Sequence, residues 1–362
     1  MSHFHSLSIE RVHQDTRDAI VVSFHLPDEL RTTFAYQQGQ YLTLRAQIDG
    51  EEVRRSYSLC SAVQDARLQI AIKKVGGGVF SSWAHAHLEA GMVLDVMPPM
   101  GKFQVPLQPT ESRHYLAFAA GSGITPIYAI IKTTLIAEPH SRFTLVYGNR
   151  ASSTVMLREA LADLKDRFLD RLSVVHVMSR EKQEIDLFNG RIDAEKCRAL
   201  VEHWINIGDI DTAFICGPES MTHQVAETLQ ALGMAKAQIK TELFTTSAAA
   251  GTQRRAGVRA SEQSQALGQC EVSFIIDGHQ HQITMAQGAE SVLDAGLAQG
   301  IDIRYACKGG ICATCRCKVI EGRVDMDANH VLEDYEIARG FVLSCQAFPA
   351  SERLVLDFDQ DN

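Results

Sequence analysis

The sequence feature that most constrains this chain is a group of three cysteines in a glycine-rich stretch near its C-terminus. Cys307, Cys312 and Cys315 follow one another at C-x4-C-x2-C spacing, with two glycines between the first two thiols. A fourth thiol, Cys345, comes 30 residues after the third. Glycine allows a backbone tight enough for amide N–H groups to face the sulfur atoms of a bound centre. The spacing therefore predicts that four thiolates surround one inorganic centre.

That centre is predicted to be a [2Fe–2S] cluster, because the spacing is the plant-type ligand pattern. A structural zinc site also takes four cysteines, and unliganded core cysteines are the other alternative. Three closely spaced thiols in one loop with a distant fourth favour the cluster over both. Such a cluster accepts one electron at a time, so we expect the rest of the chain to supply electrons to it.

Length and composition limit the classes that remain. A chain of 362 residues with 45% hydrophobic and 22% charged residues predicts two to three ordinary globular domains. The N-terminus has neither the basic nor the apolar region of a secretion signal. The most apolar stretch, residues 116–137, contains Gly, Ser, Pro and Lys, which indicates a buried strand and helix and no membrane span. Nine cysteines, an odd number, fit a reducing compartment, so we expect a cytoplasmic protein.

The negative charge of the chain is concentrated in its last segment. The formal net charge is −9, and residues 268–362 hold 15 acidic and 7 basic side chains, a net −8. An acidic face can steer a protein toward a basic partner protein, and it argues against nucleic acid as the partner. A merely solubilising surface is the alternative.

Residues 7–101 have the pattern of short strands separated by turns. Apolar alternation in Tyr41–Arg45 and Leu68–Lys73, without a long helical pattern, predicts a small antiparallel barrel. Within it, Arg55 and Tyr57 face one side of a strand, where an arginine can neutralise a phosphate and a tyrosine can pack on a ring system. A surface arginine beside a core tyrosine is the alternative.

A glycine run in the same segment predicts an anion site. Gly76, Gly77 and Gly78 lead through Ser81 and Ser82 into a helical pattern. Free N–H groups and the helix dipole at such a start attract negative charge.

The second segment has the pattern of a parallel α/β sheet. The apolar run of residues 115–120 passes into Gly121-Ser-Gly123-Ile-Thr125-Pro126 and then a helix, the strand–turn–helix arrangement of a phosphate site. A structural strand–helix turn is the alternative. Further strands alternating with helices are predicted at residues 143–147, 172–177 and 213–216. The last ends at Cys216, at the carboxyl edge of the sheet where ligands bind, unless Cys216 is a small buried core residue.

The last segment is separated by a stretch without apolar periodicity. Residues 245–267 are predicted to be a linker. After it, Asp277 and Gly278 stand between two strand patterns and predict a hairpin.

Taken together, these residues resemble the ferredoxin–NADP reductase superfamily. The motifs that carry the resemblance are Arg55-x-Tyr57-Ser58, Gly78 with Ser81, Gly121-x-Gly123-x-x-Pro126, Cys216-Gly217-Pro218 and Glu242-Leu-Phe244. The added [2Fe–2S] domain resembles the reductase components of multicomponent bacterial oxygenases, particularly the reductase subunits of phenylacetyl-CoA 1,2-epoxidases. The resemblance covers essentially the whole chain. One departure is Gln38 before Gly39, where the family usually has proline.

The resemblance implies a multidomain protein. Residues 1–107 would form the antiparallel β-barrel that binds FAD, and residues 108–244 the parallel α/β domain that binds NAD(P)H. After the linker, residues 268–362 would form an α+β domain with the β-grasp fold of a plant-type ferredoxin. The cluster ligands would be Cys307, Cys312, Cys315 and Cys345.

It also implies a role for each motif residue. Arg55 would bind the flavin phosphates, Tyr57 would pack on the isoalloxazine, and Ser58 would hydrogen-bond near flavin N5. Gly78 and Ser81 would complete the flavin pyrophosphate site. The remaining cofactor-binding residues would hold the nicotinamide dinucleotide: Gly121, Gly123, Thr125, Pro126, Arg150, Cys216, Gly217, Pro218 and Phe244. Ser58 and Cys216, which would stand nearest the transferred hydride, are the implied catalytic residues.

The mechanism we expect is hydride transfer from NADPH to FAD, followed by two single-electron transfers through the [2Fe–2S] cluster. NADPH is favoured over NADH because Arg150 follows the second parallel strand and no carboxylate stands at that strand's end. The acceptor that the resemblance implies is the diiron oxygenase component of a multicomponent monooxygenase, with no membrane partner. The alternatives are a reductase for an aromatic-ring dioxygenase, with FMN in place of FAD, and a redox-sensing module without turnover.

Overall fold

The structure is a computed structural model that describes residues 4–244 and 268–360. The predicted linker, residues 245–267, lies outside these ranges. The chain divides into two compact units. One comprises His5–Val53 and Tyr57–Phe244, and the other comprises Phe4, Arg54–Ser56 and the described residues from 268 onward. Among the described residues, no helix has the length and apolar character needed to cross a membrane.

The first unit begins with a six-stranded sheet, ordered β4-β3-β6-β1-β2-β5. Its strands are β1 (His5–Thr16), β2 (Ala19–Phe24), β3 (Tyr41–Ile48), β4 (Glu51–Ser58), β5 (Leu68–Lys73) and β6 (Val93–Val96). The pairs β1–β2, β1–β6, β2–β5 and β3–β6 are antiparallel. Inward residues of these strands form one apolar core with Phe80 and Ala84 of helix α1 (Val79–His87). The prediction of an antiparallel barrel is confirmed.

The same unit contains a parallel sheet of five strands, ordered β11-β10-β7-β8-β9. They are β7 (His114–Ala120), β8 (Arg142–Asn149), β9 (Leu172–Met178), β10 (Thr212–Gly217) and β11 (Ile239–Leu243). Helices α2 (Ile124–Ala137), α3 (Arg158–Arg167), α4 (Ala194–His203) and α5 (Glu219–Ala231) connect them, and two apolar cores fill the faces of the sheet. The predicted parallel α/β domain is confirmed.

The strand order of this sheet reverses at one point. From β7 the chain proceeds to β8 and β9 on one side, and then returns to place β10 and β11 on the other side. The carboxyl ends of β7 and β10 flank the point where the order reverses, which is the ligand-binding crevice of open α/β sheets. Gly121 and Cys216 lie at these two ends.

The second unit is an α+β domain. Its strands are β12 (Gln269–Ile276), β13 (His279–Ala286), β14 (Arg316–Glu321), β15 (Val324–Met326), β16 (Phe341–Leu343), β17 (Ala347–Pro349) and β18 (Arg353–Asp357). The main sheet is ordered β13-β12-β18-β14-β16, with β12–β18 parallel, and β15 pairs with β17 separately. Helices α6 (Val292–Ala298) and α7 (Asp334–Ala338) complete it.

The predicted hairpin of this unit is present. Strands β12 and β13 pair antiparallel through Asp277 and Gly278, whose φ angles of 50° and 72° suit the tight turn. The loop that holds three of the predicted cluster ligands, residues 307–315 (the ligand loop), runs into β14, and Cys345 follows β16. Because β14 and β16 are adjacent in the sheet, they bring the distant fourth cysteine beside the loop.

Candidate functional site

The end of strand β4 carries the three residues that the sequence predicts for the flavin ring and phosphates. Arg55 is exposed, Tyr57 is half-buried, and Ser58 is buried. Tyr57 packs beside Phe80 of α1, with ring centroids 5.7 Å apart. The alternation of the strand therefore separates a solvent-facing cation from a buried hydroxyl.

The glycine run before α1 is a compact turn at the N-terminus of that helix. Ser81 Oγ accepts a hydrogen bond from the N–H of Val75 at 3.1 Å. A Cβ on Gly78 would lie 2.6 Å from Ser81 Oγ, so the serine and the glycine are in close contact. The first N–H groups of α1 follow directly, which is the geometry that binds anions.

The predicted phosphate turn lies between β7 and α2. Gly121–Gly123 form a short 3-10 turn in which Gly121 has a φ of 54°. Thr125 Oγ1 donates to the carbonyl of Ser122 at 3.0 Å, and the Tyr147 hydroxyl donates to the carbonyl of Gly121 at 3.0 Å. A Cβ on Gly123 would lie 2.1 Å from the carbonyl oxygen of Cys216. The turn thus packs directly on the end of β10, with Pro126 in the first turn of α2.

A lysine of the barrel reaches the same turn, and sequence reasoning missed it. Lys73, the last residue of β5, has its Nζ 3.1 Å from the position that a Cβ on Gly121 would occupy. Burial, and then the charge of Arg150, lower the pKa of Lys73. A cation held partly out of water and near a second cation favours an anionic ligand. No pattern in the sequence pairs β5 with this turn.

Arg150 follows β8 as predicted, and a second arginine stands beside it. The N–H of Arg180, after β9, donates to the carbonyl of Arg150 at 2.8 Å, and both side chains are exposed. Glu181 reaches the same loop, where it accepts from the N–H of Ser152 at 2.8 Å and from its hydroxyl. These hydrogen bonds lower the pKa of Glu181. The end of β8 itself carries no carboxylate, but Glu181, which follows the next strand, brings one into this region.

The buried end of β4 meets the carboxyl edge of the parallel sheet. Ser58 Oγ donates to Glu242 Oε2 at 3.2 Å, although the two residues are 184 positions apart. Glu242 in β11 is directly opposite Cys216 in β10, and Cys216 is fully buried. Burial raises the pKa of Glu242 to about 8, opposed by the Ser58 hydrogen bond. Burial, and then Glu242, raise the pKa of Cys216 well above its ordinary value.

This contact joins two predicted residues and one that received no role. Ser58 and Cys216 both lie against Glu242. Glu242 belongs to the Glu242-Leu-Phe244 motif, but only Phe244 of that motif was expected to bind cofactor. Phe244 is half-buried and packs on the apolar core of the sheet, and Gly217 and Pro218 lead from β10 into α5. Only the pairing of β10 with β11 places the carboxyl group beside the thiol.

The four predicted cluster ligands form two pairs of thiols. Cys312 hydrogen-bonds to Cys307, and Cys315 hydrogen-bonds to Cys345. The Cys312 thiol and the N–H groups of the loop lower the pKa of Cys307 to about 6, and the N–H of Gly309 lies 3.3 Å from its sulfur. Thiolate is the form that binds iron, so a lowered pKa of Cys307 suits a ligand role.

Two sulfur pairs suit a two-iron cluster, because each iron of a [2Fe–2S] cluster takes two thiolates, whereas a tetrahedral zinc site needs four donors about one centre. Among the residues that the structure describes, no group of three or more Cys, His, Asp or Glu side chains is arranged to hold a metal ion. The neighbouring Cys317 is 2% exposed and packs in the core of the unit, and burial raises the pKa of its thiol.

The ligand loop is braced by its neighbours. Lys308 Nζ lies 2.8 Å from Asp294 Oδ1 of α6, and Gln346 Nε2 donates to the carbonyl of Lys308 at 2.9 Å. Gly310 has a φ of 75°, and a Cβ there would lie 2.7 Å from the carbonyl oxygen of Ala328. Glycine is required at this position by both the backbone angle and the close approach.

Comparison with protein families divides the chain in the order that the sequence predicts. Residues 6–105 match the oxidoreductase FAD-binding domain, and residues 118–227 match the oxidoreductase NAD-binding domain. Residues 274–350 match the 2Fe-2S iron-sulfur cluster binding domain. These matches confirm the prediction of an NAD(P)H-dependent oxidoreductase with FAD and [2Fe–2S] domains.

Curated relatives match over nearly the full length. The chain is 46% identical over 359 residues to the E subunit of the 1,2-phenylacetyl-CoA epoxidase of Escherichia coli K12, covering 99% of both chains. It is 33% identical to the ferredoxin reductase component of 3-ketosteroid-9-alpha-monooxygenase of Rhodococcus rhodochrous, covering 97% of this chain and 96% of that one. It is 27% identical to the glycine betaine monooxygenase reductase subunit of Pseudomonas aeruginosa, covering 98% and 95%.

Solved structures share the fold. Phthalate dioxygenase reductase matches with a TM-score of 0.56 at 20% identity, covering 98% of both chains. An intact type IV self-sufficient cytochrome P450 monooxygenase matches with a TM-score of 0.69 at 20% identity, and this chain covers 41% of that protein. At these identities the likeness concerns the fold alone. The full-length relatives and the three matched domains together show that the chain belongs to the ferredoxin–NADP reductase superfamily, in the family of reductases that carry a C-terminal [2Fe–2S] domain.

Proposed function

We propose that this protein is the reductase component of a multicomponent oxygenase, and that it carries electrons from NADPH through FAD and the [2Fe–2S] cluster to a diiron oxygenase. When bound, the flavin accepts a hydride from NADPH and gives up its two electrons singly to the cluster. The observation that carries the proposal is the buried contact of Ser58, Cys216 and Glu242. It joins the end of the flavin-barrel strand to the carboxyl edge of the nucleotide-binding sheet, where the two reacting rings have to meet.

The barrel residues have the chemistry that FAD requires. Arg55 offers an exposed guanidinium to the phosphates, and Ser81 with Gly78 forms a turn at the N-terminus of α1 for the pyrophosphate. Tyr57 would pack on the isoalloxazine, and the Ser58 hydroxyl would hydrogen-bond near N5. Because Glu242 accepts from Ser58, it fixes the direction of that hydroxyl.

The nucleotide-binding residues surround the turn after β7. Gly121, Gly123, Thr125 and Pro126 would hold the pyrophosphate at the start of α2, with the Lys73 ammonium above the turn. The nicotinamide would lie at the end of β10, against a second set of residues: Cys216, Gly217, Pro218 and Phe244. Burial and Glu242 raise the pKa of the Cys216 thiol, so a neutral thiol would face the nicotinamide.

NADPH is the proposed electron donor. Arg150 and Arg180 lie on adjacent loops at the carboxyl ends of β8 and β9, where two guanidinium groups suit a 2′-phosphate. Glu181, whose carboxylate would favour a free 2′-hydroxyl, is engaged by the N–H and the hydroxyl of Ser152.

Coenzyme choice is tested by Arg150→Ala with Arg198→Ala, an exposed arginine of α4, as the matched control. We expect kcat/KM for NADPH to fall about 10- to 100-fold in Arg150→Ala, the range of a lost charged hydrogen bond, while the NADH value stays constant. Equal losses for NADPH and NADH, or no loss for either, would contradict the preference.

The proposed acceptor is a diiron oxygenase of the phenylacetyl-CoA 1,2-epoxidase type, which would assign the protein to phenylacetate degradation. The support is the 46% identity to the E subunit of that epoxidase over 99% of both chains. The acidic segment 268–362, with its net −8, would dock on a basic patch of the oxygenase. We also propose a cytoplasmic location, because all nine cysteines are free thiols and four of them are the proposed cluster ligands.

The partner is tested by reconstitution. The purified reductase is combined with NADPH, oxygen, phenylacetyl-CoA and the oxygenase encoded beside it, and the ring epoxide is measured by mass spectrometry. Epoxide formation that depends on the reductase supports the assignment. A reduced cluster with an active oxygenase but no epoxide would reject it and favour a different oxygenase, as the 33% identity to a ketosteroid monooxygenase reductase component suggests.

A further inference from the structure

A buried ion pair lies directly beside the cluster-binding cysteines. Arg316 follows Cys315 and begins β14, and Glu336 lies in α7. Arg316 Nε and Glu336 Oε1 are 3.0 Å apart, and the two side chains are only 14% and 2% exposed. Removing two opposite charges from water is costly unless they compensate each other closely. Because the pair lies beside the cysteines, the effect of its two charges on the predicted cluster site can be deduced.

The arginine of the pair is joined to the strand that leads to the fourth ligand. Its guanidinium lies 3.6 Å from the ring centroid of Phe341, the first residue of β16. Arg316 is opposite Leu343 in the β14–β16 ladder, and the N–H of Ser344 donates to the carbonyl of Cys315 at 3.0 Å. The pair thus adjoins the half of the site that Cys315 and Cys345 form.

The carboxylate is fixed as firmly as the arginine. Glu336 Oε2 accepts the N–H of Glu333 at 3.1 Å, which caps the start of α7. Two further cations, Lys318 and Arg339, each lie 5.8 Å from the Phe341 centroid. Arg339 is exposed, so water screens its charge more than that of Arg316, whereas Lys318 is half-buried as Arg316 is.

Reduction of a [2Fe–2S] cluster adds one negative charge to it. A buried cation nearby would favour the reduced state, and a buried carboxylate would oppose it. While Arg316 and Glu336 are paired, these two effects largely cancel. We propose that the pair is a positioning device for the cluster: it ties α7 and β16 to the strand after Cys315, and it keeps the net buried charge there near zero. The reduced cluster is then not over-stabilised, and the electron can leave for the acceptor.

This inference rests on the [2Fe–2S] centre of the proposed function, and reduction potential tests it in the full-length holoprotein. Glu336→Gln keeps the cap of α7 but leaves the Arg316 charge unbalanced, because arginine does not lose its proton. We expect the equilibrium constant for cluster reduction to rise about tenfold, which for one electron is about 59 mV. One unbalanced charge within about 10 Å at an effective dielectric constant of about 20 has this effect.

Glu333→Gln is the matched control, because it removes an exposed carboxylate from the same helix start. Its potential should stay close to that of the wild type, since water screens the lost charge. Arg316→Gln combined with Glu336→Gln should return the potential toward the wild-type value. Arg316→Lys keeps the charge, and should keep the potential while lowering the melting temperature through loss of the Phe341 contact.

An unchanged potential in Glu336→Gln, or a double variant that keeps the full shift of Glu336→Gln, would overturn the inference. If Glu336→Gln does not retain iron, the comparison of Arg316→Gln with Arg316→Lys decides. The first should lower the potential and the second should not, and equal potentials would overturn the inference. The iron content of the wild-type protein distinguishes a failure of this inference from a failure of the proposed function. A wild-type protein without about two irons per chain would contradict the cluster itself.

Discussion

Replacing Gly123 with alanine tests the close approach that builds the nucleotide site. A Cβ at this position would lie 2.1 Å from the carbonyl oxygen of Cys216, 2.5 Å from its carbonyl carbon and 2.9 Å from the N of Gly217. These are backbone atoms at the end of the central strand β10, so they cannot rotate away as a side chain would. Either the phosphate turn or the strand has to move by about 1 Å to restore ordinary contact.

The structure gives the direction and the size of the effect. Forcing an extra methyl into a packed site costs about 1–3 kcal/mol. Replacing glycine by alanine at a helix start recovers at most about 1 kcal/mol of backbone entropy, so the clash decides the sign. The net cost is therefore at most about 3 kcal/mol, and since each kcal/mol changes the melting temperature of a unit of this size by about 2–4 °C, we expect a decrease of up to about 12 °C. KM for NADPH should rise because the displaced turn no longer aligns its N–H groups with the pyrophosphate.

Tryptophan fluorescence reports the unit concerned, because both tryptophans of the chain, Trp83 and Trp204, belong to it. Thermal unfolding is followed by fluorescence, and KM comes from initial rates of NADPH oxidation. Gly208→Ala is the control, since the nearest atom to its Cβ would be Asn206 Oδ1 at 3.5 Å. A Gly123→Ala protein that melts with the wild type and keeps its KM would refute the argument.

Three further outcomes follow from the site. Because burial raises the pKa of Glu242 from 4.5 to about 8, the folded state keeps a proton that the unfolded chain has lost between these pH values, and the free energy of unfolding falls as pH rises through this interval. The melting temperature of the wild type should therefore fall relative to that of Glu242→Gln from pH 5 to 8 and level off above, whereas parallel curves would contradict the shift. Serine at any of the four ligand cysteines should remove the iron and spare flavin reduction by NADPH, while Cys317→Ser should keep about two irons per chain; the reverse result for Cys317 and Cys345 would reject the ligand assignment. Electron transfer to the oxygenase should slow in stopped-flow measurements as salt rises through ~0.1–0.5 M, while flavin reduction changes less; a salt-independent second step would exclude charge-steered docking.

The sequence by itself determined the features whose chemistry is local. The cysteine spacing predicts the cluster because ligands within one loop keep their separation wherever the loop lies. The turn at Asp277 and Gly278 and the glycine turn after β7 are likewise set by the backbone angles that neighbouring residues allow. Apolar residues that alternate with polar ones predicted the barrel, and continuous apolar runs predicted the parallel sheet, because these patterns also depend only on neighbouring residues.

The tertiary structure alone decided which distant side chains act together. Glu242 meets Ser58 only because β11 pairs with β10 at the edge that receives the end of β4. Lys73 reaches the phosphate turn from a strand of the barrel, and Glu336 reaches Arg316 from a different element of the second unit. No spacing in the sequence predicts these contacts, because each depends on strand order and on packing between elements. The same packing removes the groups from water, and it is this loss of water that gives Glu242, Cys216 and Lys73 their shifted pKa values.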